Sequence, residues 1–199
     1  MSGGGTQFFG VGAKGKSFAF VVDTSGSMFE NARYQRCQME LIESIRSLTP
    51  DQKYFVVFFN NQTHPMSAKR LILAKPDFLK QTVPWIQTMQ PVGTTEPWPA
   101  LLMSLRMRPD AVYFLTDGAF DEDVVEKIRA HSSTKKIPIH TIAFEGQSGE
   151  CSSRRLRESP AERTATFSSR GSKSYDDAAA AEVNALGRRR RSLGIETFW

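Results

Sequence analysis

Between residues 16 and 144, short uninterrupted apolar runs alternate with stretches of helical periodicity. This alternation restricts the chain to an α/β design. Strands joined by crossover helices lie parallel and are buried on both faces, so they read as continuous rather than alternating hydrophobic text. The candidate strands are 17–22, 54–59, 70–73, 111–115 and 137–144. Helical spacing covers 33–48, where Met39, Leu41, Ile42, Ile45 and Leu48 fall near one face and Pro50 ends the run. Further helices are expected over 78–89, 98–105 and 121–131, with Pro84 kinking or restarting the first and acids opening the last, at the positive end of its dipole. Residues 1–16 are glycine-rich and read as a flexible lead-in. The predicted fold class is a doubly wound, mainly parallel sheet flanked by helices.

At 199 residues and 40% hydrophobic composition, the chain has material for one sizeable core. No run approaches the roughly 18 apolar residues of a membrane span, and the first six residues lack the charged-then-apolar order of a signal peptide. The chain therefore reads as soluble and staying where it is made, or as a fragment of a longer envelope protein. Cys37 and Cys151 form neither a disulfide framework nor a metal spacing, which fits a reduced compartment. The formal charge of +5 is concentrated late: residues 150–199 carry ten Lys/Arg against seven Asp/Glu, and the preceding part sixteen against fourteen. Arg188, Arg189, Arg190 and Arg191 supply much of that excess, with no aromatic residues interleaved to stack on bases. This is the pattern of a solvated end rather than a nucleic-acid footprint.

Open α/β sheets place ligands beyond the carboxyl ends of their strands, near the point where strand order reverses. Asp23-Thr24-Ser25-Gly26-Ser27-Met28 follows the apolar run 18–22, so a carboxylate and two hydroxyls stand just past a buried strand. Mg²⁺ and Mn²⁺ favour oxygen ligands, and a sharp Ser-Gly-Ser turn can aim two hydroxyls at one point. Asp117 ends a second such run, Val112-Tyr113-Phe114-Leu115-Thr116.

The Asp-x-Ser-x-Ser pattern after a strand resembles the metal-ion-dependent adhesion site of the von Willebrand factor A domain family. Gly93-Thr94-Thr95-Glu96-Pro97 is similar to that family's Gly-Gly-Thr-Asp/Asn-Pro loop, and residues 112–118 resemble its strand ending in Thr-Asp-Gly. The resemblance implies a Rossmann-like domain over 17–149. It also implies Ser25 and Ser27 as direct ligands of Mg²⁺ (or Mn²⁺ or Ca²⁺), Thr95 as the third hydroxyl, and Asp23 and Asp117 as carboxylates acting through water. Two carboxylates against a divalent ion leave no excess negative charge, so the ion keeps an appetite for one more anionic oxygen. The implied function is cation-dependent capture of an Asp or Glu of a protein partner. Two departures stand out: Thr94 replaces the family's second glycine, where a β-branched residue is poor if positive φ is required, and Glu96 stands where Asp or Asn is common.

The remaining conspicuous residues have plainer readings. His64, His131 and His140 lack metal spacing, Phe55, Phe58 and Phe59 read as core, Trp85 packs beside helices, and Trp98 borders the loop at 93–97. A catalyst is disfavoured. Haloacid-dehalogenase-like phosphatases carry Asp-x-Asp after the first strand, whereas Ser25 stands in place of the second acid, and there is no phosphate loop. The alternative to adhesion is a scaffold module with an incidental or degenerate metal site.

After Gly149 the alternation stops, so residues 150–199 read as a basic tail foreign to the family, with its last strand missing. A frameshift would account for this; the alternative is a natural basic tail with a short helix over 176–186. Joining the third base of each codon to the first two of the next across residues 158–167 permits Ile-Ala-Gly-Gly-Thr-Tyr-Arg-Tyr-Val, which resembles the family's final strand. The coding sequence tests this directly, and codons that cannot spell that strand exclude it.

Overall fold

The computed structural model describes residues 5–117, 137–145 and 150–155, with single positions at 124, 126, 127 and 130. The strands are β1 (Gly5–Phe8), β2 (Val11–Lys14), β3 (Ser17–Asp23), β4 (Lys53–Phe59), β5 (Thr63–Pro65), β6 (Ile72–Leu73), β7 (Ala111–Thr116), β8 (Ile139–Glu145) and β9 (Glu150–Arg155). The helices are α1 (Arg33–Arg46), preceded by a 3-10 stretch over Gly26–Ala32, then α2 (Pro76–Thr88) and α3 (Trp98–Arg106). β3 pairs in parallel with both β4 and β7, and β7 with β8. The main sheet runs β5-β4-β3-β7-β8-β9, with β6 also on β4. The chain thus leaves β3 to one side for β4 and returns to its other side for β7. Strand order reverses at β3, and the carboxyl ends of β3 and β7 open onto the same crevice.

The central strands β3, β4 and β7 are buried along their whole length but for Ser17 and Lys53 at the starts of β3 and β4, as their continuous apolar text requires. Register puts Phe20 beside Val56 and Tyr113, and Val22 beside Phe58 and Leu115. Side chains alternate faces along a strand. The face carrying Phe20, Tyr54 and Phe58 is covered by α1 and α2: Tyr34 and Trp85 meet Phe58, and the Tyr54 hydroxyl lies 2.8 Å from Thr82 Oγ1. α3 crosses β3, β4 and β7. Along α1 the buried residues are Tyr34, Cys37, Leu41, Ser44 and Ile45, with Leu48 buried just beyond it and Ile42 packed against the core, so the expected face holds except at Met39, which is 53% exposed. α2 is one helix despite Pro84, and it begins earlier than expected because Pro76 at its first turn presets φ for helix. Valine and the other positions at 124, 126, 127 and 130 are helical; the rest of the helix expected over 121–131 lies outside the described residues.

The strand expected at 70–73 is confined to β6, and β5 and β6 both pair antiparallel with β4. Two larger differences concern the ends of the expected domain. The supposed flexible lead-in is an antiparallel hairpin of β1 and β2, turning through Phe9 and Gly10 at φ 49° and 74°. Positive φ at both central residues is what a tight hairpin turn of matching twist demands, so the glycine serves geometry rather than flexibility. Phe8 is fully buried, with its ring edge-on to Phe20 at 5.5 Å and Tyr113 at 5.8 Å. The Tyr113 hydroxyl donates to the Thr6 carbonyl at 2.8 Å and Ser44 Oγ to the Gln7 carbonyl at 2.6 Å, which ties the hairpin to β7 and α1. At the other end, β9 continues the sheet past Gly149 by pairing antiparallel with β8. An edge strand's open backbone groups accept a neighbour without any apolar signature in it. Residues 156–199, including the 158–167 stretch on which the frameshift reading rests and the four arginines, lie outside the described residues. Among the described residues no helix is long and apolar enough to cross a membrane.

Candidate metal centre

Asp23 is the last residue of β3 and fully buried. Its Oδ1 accepts the Ser25 N–H at 2.7 Å and its Oδ2 the Thr116 hydroxyl at 2.8 Å, so the carboxylate closes the turn below it and holds the end of β7 beside β3. Burial pushes its carboxyl pKa up, against the pull of these hydrogen bonds, with Asp117 adding to the rise. Thr24 bonds the Phe59 carbonyl twice, by its N–H at 2.7 Å and its hydroxyl at 3.0 Å, fastening the same turn to the end of β4.

That turn lines up the two serines. Ser25 Oγ, itself buried, lies 3.1 Å from Ser27 Oγ, and Ser27 Oγ donates to Asp117 Oδ1 at 2.9 Å. Asp117 follows β7 with its side chain only 1% exposed, and its Oδ2 accepts Arg33 Nη1 at 3.2 Å. Arg33, the first residue of α1, has a 12% exposed side chain and reaches Glu30 Oε2 at 3.9 Å as well. Hydroxyl and carboxylate oxygens from two strand ends therefore meet in one cluster.

The third loop is fixed by its backbone. Gly26 N–H donates to the Gly93 carbonyl at 3.0 Å, Val92 N–H to the Thr24 carbonyl at 2.8 Å and Glu96 N–H to the Asn60 carbonyl at 2.9 Å. Gly93 sits at φ 81°, and a Cβ there would come within 2.5 Å of Asn61 Oδ1, so glycine is required at this position. The β-branched Thr94 is spared positive φ. Thr95 is exposed on this loop, and no described contact joins its hydroxyl to Ser25, Ser27 or Asp117. The fold thus gathers Asp23, Ser25, Ser27 and Asp117 and lays the Thr95 loop against the same turn.

Among the described residues no three His, Cys, Asp or Glu side chains cluster, so a cation here would depend on hydroxyls. His140 is buried against Tyr113, their rings 5.5 Å apart, and His64 Nε2 lies 3.3 Å from Asn60 Oδ1. His131 lies outside the described residues. Two residues of the site went unread in the sequence. Thr116 was legible only as part of the Thr-Asp-Gly text, whereas nothing in the sequence pairs Arg33 with a residue 84 positions away.

The reversal of strand order at β3 and the mostly parallel sheet with flanking helices give the chain a von Willebrand factor A-like fold. No protein-family model matches the chain, and no curated protein does. Its fold is similar to that of von Willebrand factor type A from Catenulispora acidiphila, with a TM-score of 0.52 at 17% identity over 64% of this chain and 32% of that one. It is also similar to an aerotolerance-related membrane protein from Bacteroides fragilis, with a TM-score of 0.51 at 16% identity over 72% of this chain and 83% of that one. The match spans about a third of the first structure's length. At such identities the likeness is one of fold.

Proposed function

We propose that this chain is a protein-binding module that captures an acidic group of a partner through a divalent cation held by Ser25, Ser27 and Thr95, with Asp23 and Asp117 balancing the charge. The observation that carries this reading is the linked set of Ser25 Oγ, Ser27 Oγ and Asp117 Oδ1, with steps of 3.1 and 2.9 Å, beside the buried Asp23 carboxylate. These are hard oxygen donors, the chemistry that Mg²⁺ or Mn²⁺ selects, and neutral hydroxyls leave a bound ion electrophilic towards an outside carboxylate. Ser27 and Thr95 are both exposed, so a partner has access from the loop side. The likeness of fold supports an interaction module, and the absence of a second acid after Asp23 argues against phosphoryl transfer.

Titrating the full chain with Mn²⁺ or Mg²⁺ by calorimetry tests the site. One binding event is expected, lost in Ser27→Ala. A partner bound through the ion should be released by EDTA. A second reading, a scaffold module with a degenerate metal site, is favoured by the Arg33–Asp117 ion pair and by the lack of a contact from Thr95. The absence of Mn²⁺ heat in the wild type, or a partner retained both in EDTA and by Thr95→Ala, selects that reading.

A further inference from the structure

Both oxygens of Asp117 are already engaged, Oδ1 by Ser27 Oγ at 2.9 Å and Oδ2 by the Arg33 guanidinium at 3.2 Å. The pair is enclosed, its side chains only 12% and 1% exposed, so solvent screens it far less than a surface ion pair. Its charge is central to the site. Asp23 and Asp117 together carry two negative charges, and Arg33 cancels one of them. The cluster therefore meets a divalent cation with a net charge of about −1, and the occupied site is left near +1 rather than neutral.

We infer that Arg33 is an internal counter-cation: it holds Asp117 in place when no ion is bound, weakens the binding of a bare ion, and leaves the occupied site one positive charge in excess until a carboxylate joins it. The cation and an acidic ligand then bind as a cooperative pair, each raising the affinity of the other by the same factor. Arg33 acts through Asp117, as a positioning residue rather than a ligand. Its geometry is built into the fold, since Arg33 opens α1 immediately after the loop that carries Ser25 and Ser27, and Ala32 before it turns in the left-handed region at φ 54° to start the helix. Glu30 lies 3.9 Å from the guanidinium but is 69% exposed, so solvent screens its charge and the excess at the occupied site remains.

The inference rests on the metal-dependent reading, and calorimetry on the full chain separates the two. Arg33→Gln removes the charge and keeps a hydrogen-bond donor; Arg33→Lys keeps the charge and loses the planar fork. Mn²⁺ alone should bind Arg33→Gln about tenfold more tightly than wild type, and Arg33→Lys within about threefold of it, because charge and not shape sets the effect. Replacing chloride by acetate at constant ionic strength should tighten Mn²⁺ binding to the wild type and do so less in Arg33→Gln. A merely structural arginine would instead weaken Mn²⁺ binding in both variants. Unchanged or weaker binding by a folded Arg33→Gln, with wild type binding Mn²⁺, overturns the inference and leaves the proposed function standing. Binding by Arg33→Gln but not by wild type supports Arg33 as the resident cation while removing the metal-dependent function from the natural chain. Failure of both to bind overturns both. If Arg33→Gln does not fold, the wild type decides alone, and Mn²⁺ affinity that fails to rise in acetate refutes the pairing.

Discussion

Replacing Asp23 by Asn keeps its volume and removes its charge, which separates the ion from the fold. In the wild type the buried carboxylate accepts the Ser25 N–H at 2.7 Å and the Thr116 hydroxyl at 2.8 Å. The carboxamide oxygen can keep the Ser25 amide, and its NH₂ faces Thr116 Oγ, which rotates to accept. Exchanging two bonds to a charged acceptor for two neutral ones forfeits about 1–3 kcal/mol, and relief from burying a charge returns part of it. The expected net loss is about 1 kcal/mol. Asp23→Ala instead strands both donors inside the protein at about 1–3 kcal/mol each, for a loss of roughly 4 kcal/mol, or about 10 °C in Tm for a domain of this size. Both variants should lose Mn²⁺ binding, because neither can balance the ion. Urea unfolding in EDTA measures the stabilities and calorimetry the ion. An Asp23→Asn protein that binds Mn²⁺ within about threefold of wild type, a difference under 1 kcal/mol, refutes the role of the Asp23 charge. One that unfolds as easily as Asp23→Ala refutes the account of its hydrogen bonds.

Phe8→Ala should cost about 3–5 kcal/mol in denaturant unfolding, as expected for a fully buried aromatic residue, whereas Met39→Ala on the exposed side of α1 should stay within about 0.5 kcal/mol. A silent Phe8→Ala would mean the hairpin does not dock as described. Gly93→Ala forces a Cβ towards Asn61 Oδ1 at φ 81°, so it should lower thermal stability by about 1–2 kcal/mol and weaken Mn²⁺ binding as the Thr95 loop shifts. Unchanged melting and titration would contradict that loop geometry. Phosphate-ester turnover in Mg²⁺ should not exceed that of an Asp23→Ala control, and measurable excess turnover would replace the binding-module reading with an enzymatic one.

The sequence by itself determined the class of fold and the position of Asp23, Ser25, Ser27 and Asp117, because continuous apolar runs mark strands buried on both faces and polar residues just after them fall at the open edge of the sheet. The loop at 93–97 was legible as a motif, but the sequence raised the question of positive φ at Thr94, and only the folded backbone places it at Gly93. What depended on pairing across the chain was not legible. The hairpin of β1 and β2 looked like a loose leader because its glycines signal both flexibility and tight turns, and only the burial of Phe8 against Phe20 and Tyr113 decides between them. Met39 faces outwards because, two positions before Leu41, it lies about 200° around the helix from the stripe of Leu41 and Ile45 that meets the sheet. β9 carries no apolar alternation, and its place comes from the open backbone edge of β8. The partner of Asp117 was settled last of all: Arg33 lies 84 residues away, and the charge at the site becomes known only when the end of β7 and the start of α1 are brought within 3.2 Å.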